Sequence, residues 1–184
     1  MRFTVTQNMT LDGRIEMLDD WFDPTLQDEE LTAAMREHSE RESHLVLGRQ
    51  TFEDFRGYWP KQADDTTGVA EHLNTVEKLV VTSSTDDLHW QNSRSVGSDP
   101  VATVRELRET PGDLAGATGS IRVVHALAEA DVVDEYHLLV YPVWQGRGRG
   151  LFRDDLAAPK LRLKWTKAFE SGVVWNAYDV TRRV

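Results

Sequence analysis

Three short stretches of the chain carry residue types suited to gripping a phosphate. Gly48-Arg49-Gln50-Thr51 follows the apolar run Leu45-Val46-Leu47 and opens a segment with Phe52 and Phe55 on one helical side. Gly119-Ser120-Ile121-Arg122 stands between a strand-like stretch over 114–118 and the helical stripe Val123, Val124, Leu127, Ala128. Thr82-Ser83-Ser84 closes a strand-like run that begins at Lys78. The chemistry on offer is anion binding. Glycine lets the backbone come close, the first amides of a helix point outward with the positive end of its dipole, and a guanidinium can hold phosphate through two parallel hydrogen bonds. Each stretch alone has a plainer reading: glycine after a strand is commonly a turn former, Arg49 can be a surface cation, and Ser83-Ser84 can be a loop pair. Taken in order, strand, glycine, helix occurs twice with a hydroxyl-bearing strand end between, which points to one shared sheet edge.

Other chemistry is thinner. Asp12-Gly13 marks a turn. Trp21, Phe22, Trp59, Tyr141 and Trp144 fall near expected loops and strand ends, where they can wall a flat heterocycle or pack a core or lid. Gly146-Arg147-Gly148-Arg149-Gly150 lacks the spacing and following helix of a dinucleotide fingerprint, so it reads as a flexible loop whose arginines can reach an anionic group. The six histidines show no metal-ligand spacing, there is no cysteine, and neither a GxSxG elbow nor a GxxxxGK loop occurs. Metal, thiol, hydrolase and kinase chemistry lose support.

The elements that must position these residues can be read from periodicity. Phe3, Val5 and Gln7 alternate with Thr4, Thr6 and Asn8 as a first strand. A helix is expected from about Pro24 to near Glu42, with Leu31, Ala34, Met35 and His38 on one face and Thr25 with Asp28 as its capping pair. Strands at 45–47 and 78–82 flank a helix at 49–55, a loop over 57–67 and a weakly helical segment over 69–76. A short strand near Ser95, a helix from Pro100 closed by Gly112, the strand over 114–118 and the helix after Ser120 follow. Tyr136, Leu138 and Val140 alternate in a long strand, and two runs separated by Ser171-Gly172 close the chain as an antiparallel hairpin. The expected architecture is one α/β domain over 1–184, a mixed and mostly parallel sheet flanked by helices in three layers.

At 184 residues with 40% apolar and 28% charged side chains, the chain can bury one real core. Its net charge of −10 repels nucleic acid. The start MRFTVTQNMT lacks a continuous apolar core and no 18 apolar residues run together, so a cytoplasmic protein without a membrane partner is expected.

The stretches GRQTFEDF, KLVVTSS, ATGSIRVVHAL and VDEYHLLVYPV, in that order and spacing, resemble the dihydrofolate-reductase superfamily. TLDGRI, LGRQTFEDFRGYWP and VDEYHLLVYPVWQGRGRGLF are similar to its branch related to the C-terminal reductase domain of the bifunctional riboflavin-biosynthesis protein RibD. The resemblance runs from about Phe3 to Val180. It implies a dihydrofolate-reductase-like fold and an oxidoreductase that passes hydride from NADPH to a small heterocyclic or ribosylamine-type substrate. Gly48, Arg49 and Thr51 then match the helix opening that holds cofactor phosphates, and Thr82, Ser83 and Ser84 the strand end that receives the adenosine 2′-phosphate. Gly119 and Ser120, continued by Ile121 and Arg122, match the pyrophosphate loop, with Ile121 where relatives carry a small residue. Asp12 matches an element lying over the nicotinamide and substrate, where it can orient a ligand or relay a proton. The acid that true dihydrofolate reductases carry on the first long helix has no counterpart among Asp28, Glu29 and Glu30, which read as N-terminal helix acids. Relatives of this branch pair, so a homodimer is expected, with Tyr136 to Val143 and Trp144 serving either an interface or burial within one subunit. A nucleotide-binding protein that kept the fold and lost catalysis is the alternative.

Overall fold

The computed structural model describes residues 1–23, 28–84, 88–153 and 160–181. In chain order the elements are β1 (Arg2–Thr10), α1 (Glu29–Glu40), β2 (Glu42–Gly48), α2 (Arg49–Tyr58), α3 (Val69–Thr75), β3 (Glu77–Val81), β4 (Ser93–Ser95), α4 (Pro100–Glu109), β5 (Leu114–Ala117), α5 (Ile121–Glu129), β6 (Glu135–Tyr141), β7 (Lys160–Ala168) and β8 (Val174–Thr181). A 3₁₀ turn over Trp59–Lys61 follows α2. The strands form one sheet in the order β4-β3-β2-β5-β1-β6-β8-β7. The pairings from β4 through β6 are parallel, and β8 and β7 add an antiparallel edge. Parallel neighbours need crossovers, and the helices that supply them cover both faces.

The pleat sorts the side chains. Phe3, Val5, Val46, Ala115 and Ala117 point to the face covered by Val104 and Leu107 of α4 and Val123, Val124 and Leu127 of α5, all buried. On the other face Leu45 and Leu47 meet Phe52 of α2 and Leu73 of α3, while Leu139, Tyr141 and Trp175 meet Leu31 of α1. The buried Lys78 braces this layer: its Nζ donates to the carbonyls of Leu73 (2.6 Å) and Val76 (2.9 Å) at the end of α3 and lies over the Trp90 ring.

Three expectations change in detail. The first helix is capped by Asp28 itself, whose carboxylate accepts from the Leu31 amide at 3.0 Å, so the proposed pair with Thr25 gives way; Thr25 lies outside the described residues. That helix also stops at Glu40, because Glu42 is already paired with Leu114 of β5. The strand β6 lies between β1 and β8, so Tyr136 and Tyr141 are consumed by this chain's own core, whereas Trp144 beyond it is 74% exposed. Among the described residues, no helix is long and apolar enough to cross a membrane.

Candidate active-site cleft

The parallel strands end in a row. Register places Gly48 opposite Val81 and Val46 opposite Ala117, so the strand ends at Thr82, Gly48 and Thr118 lie side by side. The two strand-glycine-helix junctions touch: the Ser120 hydroxyl accepts from the Gly48 amide at 2.9 Å, and Ser120 is buried. Gly119 has φ +65°, and a Cβ there would stand 3.1 Å from Cγ2 of Thr51. Glycine is therefore required by conformation and by the close approach of α2. Its amide donates to Oε1 of the buried Gln7 at 3.2 Å, a support on β1 that the sequence reading did not single out.

Helix ends at this rim differ from those of α1 and α4, while α3 also opens on a glycine, Gly68, without a side-chain cap. Asp28 caps α1, Asp99 caps α4 through the amides of Val101 and Ala102, and Asp65 accepts from the Ala70 amide in α3. The caps of α2 and α5, Gly48 and Ser120, make no side-chain hydrogen bond to their helices, and neither first turn holds an acid. The first amide of α5, Ile121, turns back to the Gly119 carbonyl at 3.1 Å, and with no acidic side chain in either first turn the positive dipole ends of both helices are uncompensated, the arrangement a phosphate uses.

Beside the rim lies a cleft of about 620 Å³. Thr51, Gly119 and Ile121 border it on one side; α1, the end of α2, Trp59 and α3 form the other walls. Ile121 also packs against the main core, so much of its side chain is turned inward. Arg49 is ion-paired with Glu53, four residues on. Arg122 is exposed in the first turn of α5. Thr82 is bridged to Gly97, its hydroxyl accepts from the Ser84 amide (3.2 Å) and its carbonyl from the Ser95 hydroxyl (2.9 Å); Ser83 and Ser84 are exposed. These last residues adjoin the rim without lining the cleft.

Asp12 stands apart from the cleft wall. Its carboxylate accepts from the Thr10 hydroxyl (2.6 Å) and the amides of Gln145 (3.2 Å) and Gly146 (2.9 Å), with Arg14 Nε at 3.5 Å. The Thr10 hydroxyl first, then those amides, hold its carboxyl well below the usual range. The carboxylate thus clamps the segment after β6 to the turn after β1. The expectation of a flexible loop there is corrected: Arg14 donates to the Gly148 carbonyl, Ile15 to that of Arg149, and His125 Nε2 contacts that of Gly150. Both loop arginines are spent as well, Arg147 on Asp19 (2.6 Å) and Arg149 on Glu16 (2.5 Å). Among the aromatic candidates, Phe22, Trp59 and Tyr141 line the cleft, with Trp21 edge-on to Tyr141.

At the floor lies a buried polar cluster that no local motif announces. His38 Nε2 meets the Thr6 hydroxyl at 3.2 Å, and the His38 ring lies 4.3 Å from that of His137. The indole N–H of Trp175 donates to His137 Nδ1 at 3.1 Å, so the ring proton of neutral His137 is on Nε2, where it donates to Glu135 at 2.7 Å. Lys164 and Arg2 complete the Glu135 shell. Burial pushes His38 down to about 3. Burial raises the Glu135 carboxyl, but hydrogen bonds from His137 and Lys164 prevail and bring it down to about 2.

The RibD C-terminal domain family model matches residues 3–175. The chain is 27% identical over 171 residues to the uncharacterized protein YyaP of Bacillus subtilis, covering 92% of this chain and 90% of that protein. Among solved structures, a putative riboflavin biosynthesis protein from Shewanella sp. PV-4 superposes with a TM-score of 0.73 at 17% identity, covering 99% of this chain and 100% of the other. Enterococcus faecalis dihydrofolate reductase complexed with NADP(H) superposes with a TM-score of 0.64 at 15% identity, covering 98% and 97%. These likenesses bear out the dihydrofolate-reductase-like α/β fold.

Proposed function

This chain belongs to the RibD C-terminal domain family, and from that premise we propose that it is an NADPH-dependent reductase acting on a small heterocyclic or ribosylamine-type substrate. The observation that carries the reading is the pair of uncapped helix openings, α2 and α5, joined through Ser120 and Gly48 at the mouth of an apolar-walled cleft. The cradle suits the cofactor: Gly119 leaves room that a Cβ would fill, and Gly48, Arg49, Thr51, Gly119, Ser120, Ile121 and Arg122 are the residues assigned to hold its pyrophosphate. Thr82, Ser83 and Ser84 are assigned to its 2′-phosphate. When bound, NADPH supplies hydride to a C=N or C=O carbon; the chain's part is to bind, orient and exclude water. Gln7 holds the Gly119 backbone, and Asp12 acts by fixing the segment after β6 against the cleft's edge.

The test is a melting-temperature titration with NADPH and NADH, followed by assay of NADPH oxidation with pterin, pyrimidine and simple carbonyl acceptors. A rise in Tm larger for NADPH, with turnover of one acceptor class, is the expected result. Binding without turnover favours the non-catalytic alternative, and no binding removes both.

A further inference from the structure

The charge of the cleft wall narrows the substrate. Among the described residues lining it are the carboxylates of Glu16, Asp23, Glu42 and Asp54, and no lysine or arginine. Glu16 forms a salt bridge with Arg149 at the cleft's edge. Asp54 accepts instead from the neutral Gln50 side chain (2.8 Å), and Glu42 faces His72 Nε2 at 3.1 Å.

Glu42 is held there deliberately by the fold. A Cβ on residue 116 would fall 1.8 Å from its Oε1, so only glycine in β5 lets the carboxylate lie across the sheet at the cleft's inner wall. Its side chain is 8% exposed. Beyond it a second hollow of about 210 Å³ lies between α1 and α3, sharing Met35, Ser39, Glu42, Thr67, Val69 and His72 with the main cleft. This hollow is acidic too: among the described residues Glu40 and Glu71 line it with one cation, Arg36, which donates to the Thr66 carbonyl. The remaining wall is largely apolar and aromatic, including Phe22, Phe55, Tyr58, Trp59 and Tyr141.

A phosphate ester entering the main cleft gives up its water for carboxylate neighbours and finds no lysine or arginine among the described lining residues in return, whereas a ring N–H or amine finds acceptors. We propose that the substrate of this cleft is an unphosphorylated, uncharged or cationic, flat nitrogen heterocycle, and that a phosphoribosyl substituent is rejected. This rests on the reductase reading for the role of the rim, where the cofactor's own phosphates are placed, but the charge of the cleft can be tested separately.

The experiment measures binding by calorimetry, with and without NADPH, for the matched pairs uridine and uridine 5′-phosphate, and riboflavin and its 5′-phosphate, together with 2,4-diaminopteridine. The expected result is that diaminopteridine binds and that the unphosphorylated member of a pair binds at least tenfold tighter than its ester. Asp54→Lys, on the exposed side of α2, should narrow that gap at least tenfold. Equal or tighter binding of the esters, failure of every unphosphorylated ring to bind, or a gap untouched by Asp54→Lys would overturn the proposal. Absence of an NADPH response alongside the expected ring preference would instead sink the reductase reading and leave the cleft's selectivity standing.

Discussion

The rim and the floor of the cleft treat polar groups in opposite ways. At the floor, Thr6, His38, His137, Trp175, Glu135, Lys164 and Arg2 are linked by hydrogen bonds, ion pairs and ring contacts among themselves. At the rim, α2 and α5 begin without the aspartate caps that α1 and α4 receive. A buried polar group without a partner costs free energy, so the floor is closed for stability. At the rim the Gly48 and Gly119 amides are held by Ser120 and Gln7, while the helix openings beside them carry no acidic cap and suit an anion. The contrast separates residues that hold the fold from residues that hold a molecule.

The widest effect expected comes from the floor. His38 is lowered from 6.5 to about 3 in the folded chain, so folding favours its neutral form. The stability it confers is complete above pH 6.5 and is lost as pH falls from there toward 3, by at most about 5 kcal/mol. Urea melts between pH 7 and pH 4 should therefore lose stability in wild type and show a flatter slope in His38→Gln. An identical slope would mean that this imidazole titrates normally.

Next in size, Glu135→Leu leaves the His137 N–H and the Lys164 ammonium without their carboxylate and should cost about 3 kcal/mol. The residual folded protein should still be stabilised by NADPH, because the floor is remote from the phosphates in this scheme.

At the rim the balance should reverse. Gly48 has an extended backbone, φ −72° and ψ 156°, that aspartate adopts freely. Gly48→Asp would cap α2 and raise apo stability by a few tenths of a kcal/mol, roughly the difference between a good cap and glycine. The same charge, at about 5 Å from a phosphate and an effective permittivity of about 20, should weaken NADPH by roughly 300-fold. Unchanged affinity would show that the rim does not hold the cofactor. Smallest of all, Asp99→Ala removes a cap from α4, outside the cleft lining, and should cost about 1 kcal/mol while leaving the NADPH-induced rise in Tm untouched.

Much of the scaffold is local and was therefore legible in the chain. Alternation of Phe3, Val5 and Gln7 with threonines, the glycines at 48 and 119, and the Ser171-Gly172 turn each act through near neighbours, so the order of elements and the closing hairpin follow from them. The first helix, expected from about Pro24, starts at Glu29 with Asp28 as its cap, and that carboxylate also accepts from the Ser171 amide at 2.9 Å, a partner no local pattern could show.

What only the tertiary structure decided are the meetings between distant residues. Ser120 and Gly48 are brought together by β2 lying beside β5; the Asp12 carboxylate, a candidate for chemistry in sequence, is taken by amides more than a hundred residues away; Glu42 finds its place because residue 116 has no side chain; and His38 reaches His137 across the face of β1 and β6. Periodicity fixes which way a side chain points within its own element. Which partner waits there depends on strand order and register, and those are set by the packing of the whole sheet.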